Sequence, residues 1–227
     1  MTKLLPRLLQ WLLVLLLPLL LVVANLRIAN GHWFVRWEYN KPGFPPDDYG
    51  LTTEERTRLA EVCVDYLAPG ASISLLADLR LPNGDPAFYE RELGHMVDVQ
   101  RAFTQVTVAA GVGVLLWIVG FVVLAVPRQR RRVAAATLLT GGFFTLGLLA
   151  VIGAVMAVSW WEFFTAFHRI FFSEGTWVFE YTDTLIRLFP MQLWIDVAVV
   201  VVVLLVIEAI LIGAVGWVWG RRIKAGI

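Results

Sequence analysis

The chain has 227 residues, 59% of them hydrophobic and 16% charged, with a formal net charge of +1. Soluble domains sit nearer half and a quarter, so the composition excludes an ordinary soluble enzyme, and no basic face suits a nucleic acid. One cysteine, Cys63, excludes an internal disulfide or a dithiol redox pair.

The apolar residues are concentrated in four runs, over 8–28, 103–126, 133–159 and 195–219. Each approaches the roughly 20 residues that a helix needs to cross about 30 Å of hydrocarbon. The fold class is therefore an all-α membrane protein, with four transmembrane helices and a small, mainly helical extracytoplasmic cap. Lys3 and Arg7 precede the first run and a clear small-x-small cleavage site does not follow it, so it reads as a retained helix rather than a signal peptide.

Charge orients the spans. Lys3 and Arg7, the turn at 127–132 and the tail at 220–227 together hold nine basic residues and no acidic ones. Arg27 to Arg101 holds eight basic and twelve acidic residues, and Trp160 to Trp194 two basic and four acidic. The positive-inside rule then places both termini in the cytoplasm and the segments 29–102 and 160–194 outside the plasma membrane.

Segment 29–102 forms the cap. His32 follows the first span beside Trp33, where interface placement accounts for it. Thr52 with Glu55 three residues on fits a capping box, starting a helix that runs to about Leu67 with Leu59, Val62, Cys63 and Tyr66 on one face. Cys63 reads as a small buried residue of that helix. Leu81-Pro82-Asn83-Gly84-Asp85 is a turn signal between two expected short strands. From Glu90 the chain turns helical again and enters the second span. Most of the tryptophans near the interfaces, Trp33, Trp37, Trp160, Trp161, Trp177 and Trp194, fit an aromatic belt. Gly216-x-x-x-Gly220 offers a close helix approach in the fourth span, and Glu208 lies within that span with no evident basic mate.

Two histidines carry the chemistry. His95 precedes the second span and shares a helical face with Glu92 and Asp98, each three residues away. His168 follows the third span within Phe164-Thr165-Ala166-Phe167-His168-Arg169-Ile170-Phe171-Phe172. Both stand at the outer interface, so they are expected to meet in space. Ionisable groups at such depth are expensive and mark function. No nucleophile elbow or catalytic-cysteine pattern is present, so the nucleophile is expected to be water or a group of the substrate, with histidine as acid or base. Arg169 is a candidate to hold an anionic head group or an oxyanion. Phe164, Phe167, Phe171 and Phe172 are candidates to wall an acyl chain. Asp183 is expected to pair with Arg187 or Arg169. No metal or cofactor site is evident.

The strings Arg91-Glu92-x-x-His95-Met96-x-Asp98-Val99 and Phe167-His168-Arg169-Ile170-Phe171-Phe172, the latter continuing through Gly175-x-Trp177 to Asp183-x-Leu185-Ile186-x-Leu188-Phe189-Pro190, resemble a bacterial four-span membrane family that includes the lipoprotein intramolecular transacylases. The likeness covers nearly the whole chain. It is specific in the histidine segments and loose in the cap, where Tyr39, Leu51–Glu55 and Tyr66-Leu67 correspond. It implies transfer of a fatty acyl chain from the sn-2 ester of a diacylglyceryl-modified lipoprotein cysteine to that cysteine's own α-amine. It implies His95 and His168 as the important histidines, with Trp177 in the motif around them. Diacylglyceryl lipoproteins would be the substrate, membrane lipids the surroundings, and no cofactor would be needed. His168, among aromatics, suits the base; His95, near Asp98 and Glu92, is expected to keep its proton and suits the acid, and the roles are interchangeable on the sequence alone. A haem-binding electron carrier ligated by the two histidines, or a non-enzymatic accessory protein, are the alternatives.

Overall fold

The computed structural model describes residues 4–225; Lys3 lies outside them. In chain order the helices are α1 (Leu4–Ala29), α2 (His32–Asn40), α3 (Thr53–Tyr66), α4 (Ser74–Ala77), α5 (Glu90–Ala125), α6 (Arg131–Val158), α7 (Trp160–Phe171), α8 (Thr184–Leu188) and α9 (Met191–Ala225). A 3₁₀ turn at Arg128–Arg130 leads into α6. Among the described residues no strand forms. The two strands expected around Leu81–Asp85 reduce to a single antiparallel bridge between Arg80 and Pro86. Pro82 and Pro86 each lack an N–H, which denies a ladder its donors.

Four stretches, Leu4–Ala29, Glu90–Ala125, Arg128–Val158 and Met191–Ala225, are long and apolar enough to cross a membrane. At 1.5 Å per residue even the first reaches about 39 Å, beyond the ~30 Å of a hydrocarbon core. Helix α5 has 36 residues and starts well before its apolar run, so His95 rides on the same continuous rod as the span.

The chain forms two compact units. The first comprises the chain up to Leu26, Thr107–Trp160 and from Val200 onward. Leu13, Leu124 and Ala134 form a buried cluster there, flanked by Trp117, Phe121 and Trp219. Helices α6 and α9 approach backbone to backbone: a Cβ on Gly142 would stand 2.5 Å from the Ala209 carbonyl oxygen, and one on Gly216 2.7 Å from the Ala135 carbonyl oxygen. Gly213 faces Gly142, whereas Gly220 makes only ordinary contact with Ala135. The close approach therefore uses Gly213 and Gly216 against α6, not the Gly216–Gly220 spacing. Glu208 has a polar mate after all, accepting from the amide nitrogen of the buried Asn25 at 2.8 Å.

The second unit comprises Arg27–Val106 and Trp161–Val199. Helix α3 starts at the capping box: Thr52 Oγ1 accepts from the Glu55 N–H at 3.2 Å and Glu55 Oε2 accepts from the Thr52 N–H at 2.7 Å. Its apolar face buries Leu59, Cys63 and Tyr66 with Leu76, Phe88, Met96, Leu185 and Leu188, and Val62 packs at the margin. Burial pushes the Cys63 thiol well above its ordinary pKa, which makes it inert. At the end of α3, Gln100 Nε2 donates to the carbonyls of Tyr66 and Ala71 at 2.7 and 3.0 Å, satisfying acceptors that a helix terminus leaves open. The Tyr39 hydroxyl donates to the Leu188 carbonyl. Arg56, buried on α3, donates to the carbonyls of Pro45 and Arg187 at 2.8 and 2.9 Å.

Candidate active site

Ser159, extended at φ −153° and ψ 93°, ends α6. The chain then re-enters a helix at once, so His168 lies on α7 rather than in an irregular loop after the third span. In WWEFFTAFHRIF the apolar residues recur at helical spacing, and none of the twelve is fully buried. Phe167 and Phe171 are 5.0 Å apart centroid to centroid, one turn from each other, and both are about 40% exposed (44% and 42%). They are the outward side of the helix.

The inward side carries His168. Its Nδ1 lies 2.8 Å from the carbonyl oxygen of Phe164, one turn back on α7. A carbonyl only accepts, so Nδ1 holds the proton and a neutral ring presents its lone pair at Nε2. Burial lowers the His168 pKa below its ordinary value, opposed by that hydrogen bond, and the ring is therefore neutral near pH 7.

Aromatic rings enclose His168. Phe164 lies at 4.0 Å, Trp177 at 4.8 Å, Phe167 at 5.5 Å and Phe172 at 5.6 Å, centroid to centroid. The turn after α7 brings Trp177 back: Thr176 donates twice to the Ser173 carbonyl, and Gly175 adopts φ 83°, a conformation that favours glycine.

His95 lies 6.5 Å from His168, ring to ring, with planes inclined by only 19°. Phe172 at 4.9 Å and Phe179 at 5.3 Å meet the His95 ring edge-on. Phe172 thus touches both histidines. The two residues that the sequence placed at one level are brought together by α5 and α7 within one aromatic enclosure.

His95 does not keep its proton as expected: burial, reinforced by the nearby His168, lowers its pKa to about 4 against the opposing charge of Asp98, and the acidic residues beside it do other work. Glu92 is fully buried; its Oε2 accepts from the Tyr89 N–H and its Oε1 from the Leu185 N–H, both at 2.8 Å. Asp183, also buried, accepts from Arg91 Nε at 3.0 Å and from the Glu180 N–H at 2.9 Å. Its partner is therefore Arg91, not Arg187 or Arg169. Arg187 instead grips Asp47 with two bonds of 3.0 and 2.9 Å, which hold the Asp47 carboxyl below its usual range against the opposing effect of burial. Asp98 pairs with Arg101 at 2.9 Å. Arg169 is largely exposed, 3.9 Å from Glu174. The residues Arg91 and Glu92, one turn before His95, thus pin the stretch 180–185 that follows Trp177 and Phe179. Phe179 escaped the sequence reading because it stands outside both histidine strings; its alternation with Trp177 was the available signal.

The fold and this paired-histidine enclosure define a multi-pass membrane protein with acid–base capacity and an aromatic lining. The sequence matches the family described as "Lipoprotein intramolecular transacylase Lit" over residues 9–194. The chain belongs to that family and is accordingly an enzyme. An uncharacterized protein of Aquifex aeolicus (strain VF5) is 30% identical over 220 residues, covering 97% of this chain and 98% of its own. The membrane-integral Lit of Bacillus cereus shares the fold at a TM-score of 0.81 and 19% identity, over 97% of this chain and 98% of its own. A variant of that protein with one histidine replaced by arginine superposes at a TM-score of 0.77 and 20% identity, over 98% and 95% of the two chains.

Proposed function

We infer that the protein moves a fatty acyl chain from the sn-2 ester of a diacylglyceryl-modified lipoprotein cysteine to the α-amine of the same cysteine. The observation that carries this reading is the hydrogen bond from His168 Nδ1 to the Phe164 carbonyl, which leaves Nε2 as a base in an enclosure shared with His95. Membership of the Lit family supports the substrate class.

The substrate supplies both reacting groups, so no enzyme nucleophile is required. Holding amine and ester together provides an effective molarity on the order of 10⁵ M or more in favourable cases. The α-ammonium, with a pKa of roughly 8, first loses one proton to solvent. As the free amine attacks the ester carbon, its second proton passes to His168 Nε2. The tetrahedral centre collapses, the bond between the acyl carbon and the sn-2 oxygen breaks, and His95, neutral in its buried setting, relays the proton held by His168 to the departing oxygen. One N–C bond forms, one C–O bond breaks, and the amine proton ends on the glycerol hydroxyl. The exposed faces of Phe167 and Phe171 would receive the acyl chain from the bilayer. Arg169, exposed on the same helix, would meet an anionic head group. The acidic segments that carry both histidines favour the outer face of the plasma membrane, with the termini in the cytoplasm.

Mass spectrometry of a reporter lipoprotein from a host without its own N-acylating enzyme tests the reading. Wild type is expected to move one acyl chain from glycerol to the α-amine at unchanged mass, and His95→Ala and His168→Ala to leave it in place. An untouched diacylglyceryl cysteine beside well-expressed wild type would sink the reading.

A further inference from the structure

Acyl transfer to nitrogen passes through a tetrahedral centre whose former carbonyl oxygen is anionic, and that oxygen needs a donor that is not itself busy moving the reacting protons. Arg169 is turned outward, as shown by its exposure and its loose approach to Glu174. Within the aromatic enclosure, two buried polar atoms have no hydrogen-bond partner among the described residues: His95 Nδ1 and Trp177 Nε1. They differ in kind. An imidazole nitrogen donates or accepts according to its tautomer, whereas an indole N–H only donates. Buried polar groups are nearly always satisfied, and an exception beside a reactive group calls for an explanation.

The placement of Trp177 supplies one. Its ring lies 4.8 Å from that of His168, tilted by 35°, so the indole that carries the N–H packs in the same enclosure as the base. The turn at Gly175 sets where the indole returns, and the anchors of Asp183 to Arg91 and of Leu185 to Glu92 hold the chain beyond it. A donor fixed in this way needs no reorganisation as charge develops.

We propose that Trp177 is a catalytic residue whose indole N–H donates to the ester carbonyl oxygen as it becomes the oxyanion, between attack by the amine and departure of the glycerol oxygen. This rests on the transacylase reading of the same site. The N–H forms no covalent bond and keeps its proton. The hydrogen bond strengthens as the carbonyl π electrons move onto oxygen and relaxes when the amide carbonyl forms.

The test is a cycle of enzyme and substrate changes on purified full-length protein, using a diacylglyceryl-cysteine peptide and its sn-2 thionoester, whose sulfur accepts hydrogen bonds poorly. Trp177→Phe keeps an aromatic ring against His168 and removes the N–H. On the oxygen ester its kcat is expected to fall about 10²–10³-fold, with KM little changed. On the thionoester, wild type and variant are expected to converge, because wild type gains nothing from the donor there. If Trp177→Phe loses its helical fold, replacing Trp177 with benzothienylalanine preserves the bicyclic shape without the N–H, and the same convergence is expected. A variant that turns over the oxygen ester at the wild-type rate, or falls by the same factor on both substrates, overturns the proposal and leaves the transacylase reading standing. Wild type inactive on the oxygen ester overturns both.

Discussion

Glu92 Oε1 accepts the backbone N–H of Leu185 at 2.8 Å, joining the start of α5 to the start of α8 across 93 residues of sequence. The other carboxylate oxygen accepts the Tyr89 N–H at the start of α5 itself. One buried side chain therefore serves two helix starts, where N–H groups have no helical partner. Arg91 adds a second tie from the same turn, to Asp183. Both ties fix the strand of chain that carries Trp177 and Phe179 toward His95, and neither requires a proton-transfer role for the acids.

Replacement of Glu92 by alanine leaves both buried N–H groups unpaired, each costing about 1–3 kcal/mol. Glu92→Gln retains one good acceptor and is expected to lose about half as much. Thermal unfolding in detergent should rank the proteins wild type, Glu92→Gln, Glu92→Ala. If Glu92→Gln instead abolished turnover while unfolding like wild type, a chemical role for the carboxylate would replace the structural one.

Because burial lowers the His168 pKa, its base form persists below the ordinary histidine range near 6.5. The rate of acyl transfer should therefore rise with pH toward the ammonium pKa near 8, with no break near 6.5. His168→Asn is expected to reduce kcat by about 10²–10⁴-fold while the helical content stays intact. A wild-type profile with an inflection at 6.5 would show that a solvent-exposed imidazole governs the reaction instead.

Glu38 on α2 is fully buried, with Oε1 2.8 Å from Lys41 Nζ, and Lys41 also contacts Asp196. Burial pushes the Glu38 carboxyl up to about 7 despite the ammonium, so it is protonated in the folded protein at mildly acid pH. A raised pKa means that the folded state binds the proton more tightly than the unfolded chain. The contribution to stability is full below the unfolded value near 4.3 and is lost as pH rises through 7. Glu38→Gln should remove this slope, on the order of 2 kcal/mol between pH 5 and 8. Denaturation midpoints across that range are the measurement; parallel slopes in both proteins would contradict the assignment.

Gly142 and Gly216 hold α6 and α9 at backbone contact. Gly142→Val forces the Ala209 carbonyl away and should destabilise the protein by about 1–3 kcal/mol or more. Gly220→Ala, whose Cβ would meet only Ala135 at 3.8 Å, should be nearly neutral. Thermal scanning of the two variants distinguishes a specific helix contact from a general preference for small residues; equal shifts would remove the distinction.

The four apolar runs and the capped start of α3 could be read from the sequence because each is a local pattern: a length of hydrocarbon, or a threonine and a glutamate three residues apart. The meeting of His95 and His168 could be anticipated because a membrane fixes depth, which reduces a three-dimensional question to one coordinate. Pairings within a level carry no such constraint. Asp183 had several arginines within plausible reach, and only the packing of Leu185 and Leu188 against α3 turns it toward Arg91. Glu92 was spaced to face His95, but two unpaired N–H groups nearby took both of its oxygens. The break at Ser159 was hidden by unbroken hydrophobicity, since a span that ends and an amphipathic helix that begins share the same residues.

The acceptor that sets the tautomer of His168 is a peptide carbonyl, one turn earlier on the same helix. Every amino acid provides that oxygen, so no side-chain replacement at position 164 deletes it. The chemical identity of the base is thereby written into the helix itself and is insulated from sequence drift at its neighbour. Only an alteration of the main chain, such as an ester in place of the amide after Phe164 or a local unwinding of α7, would weaken it. Agents that loosen interfacial helices should accordingly silence the enzyme before they unfold it.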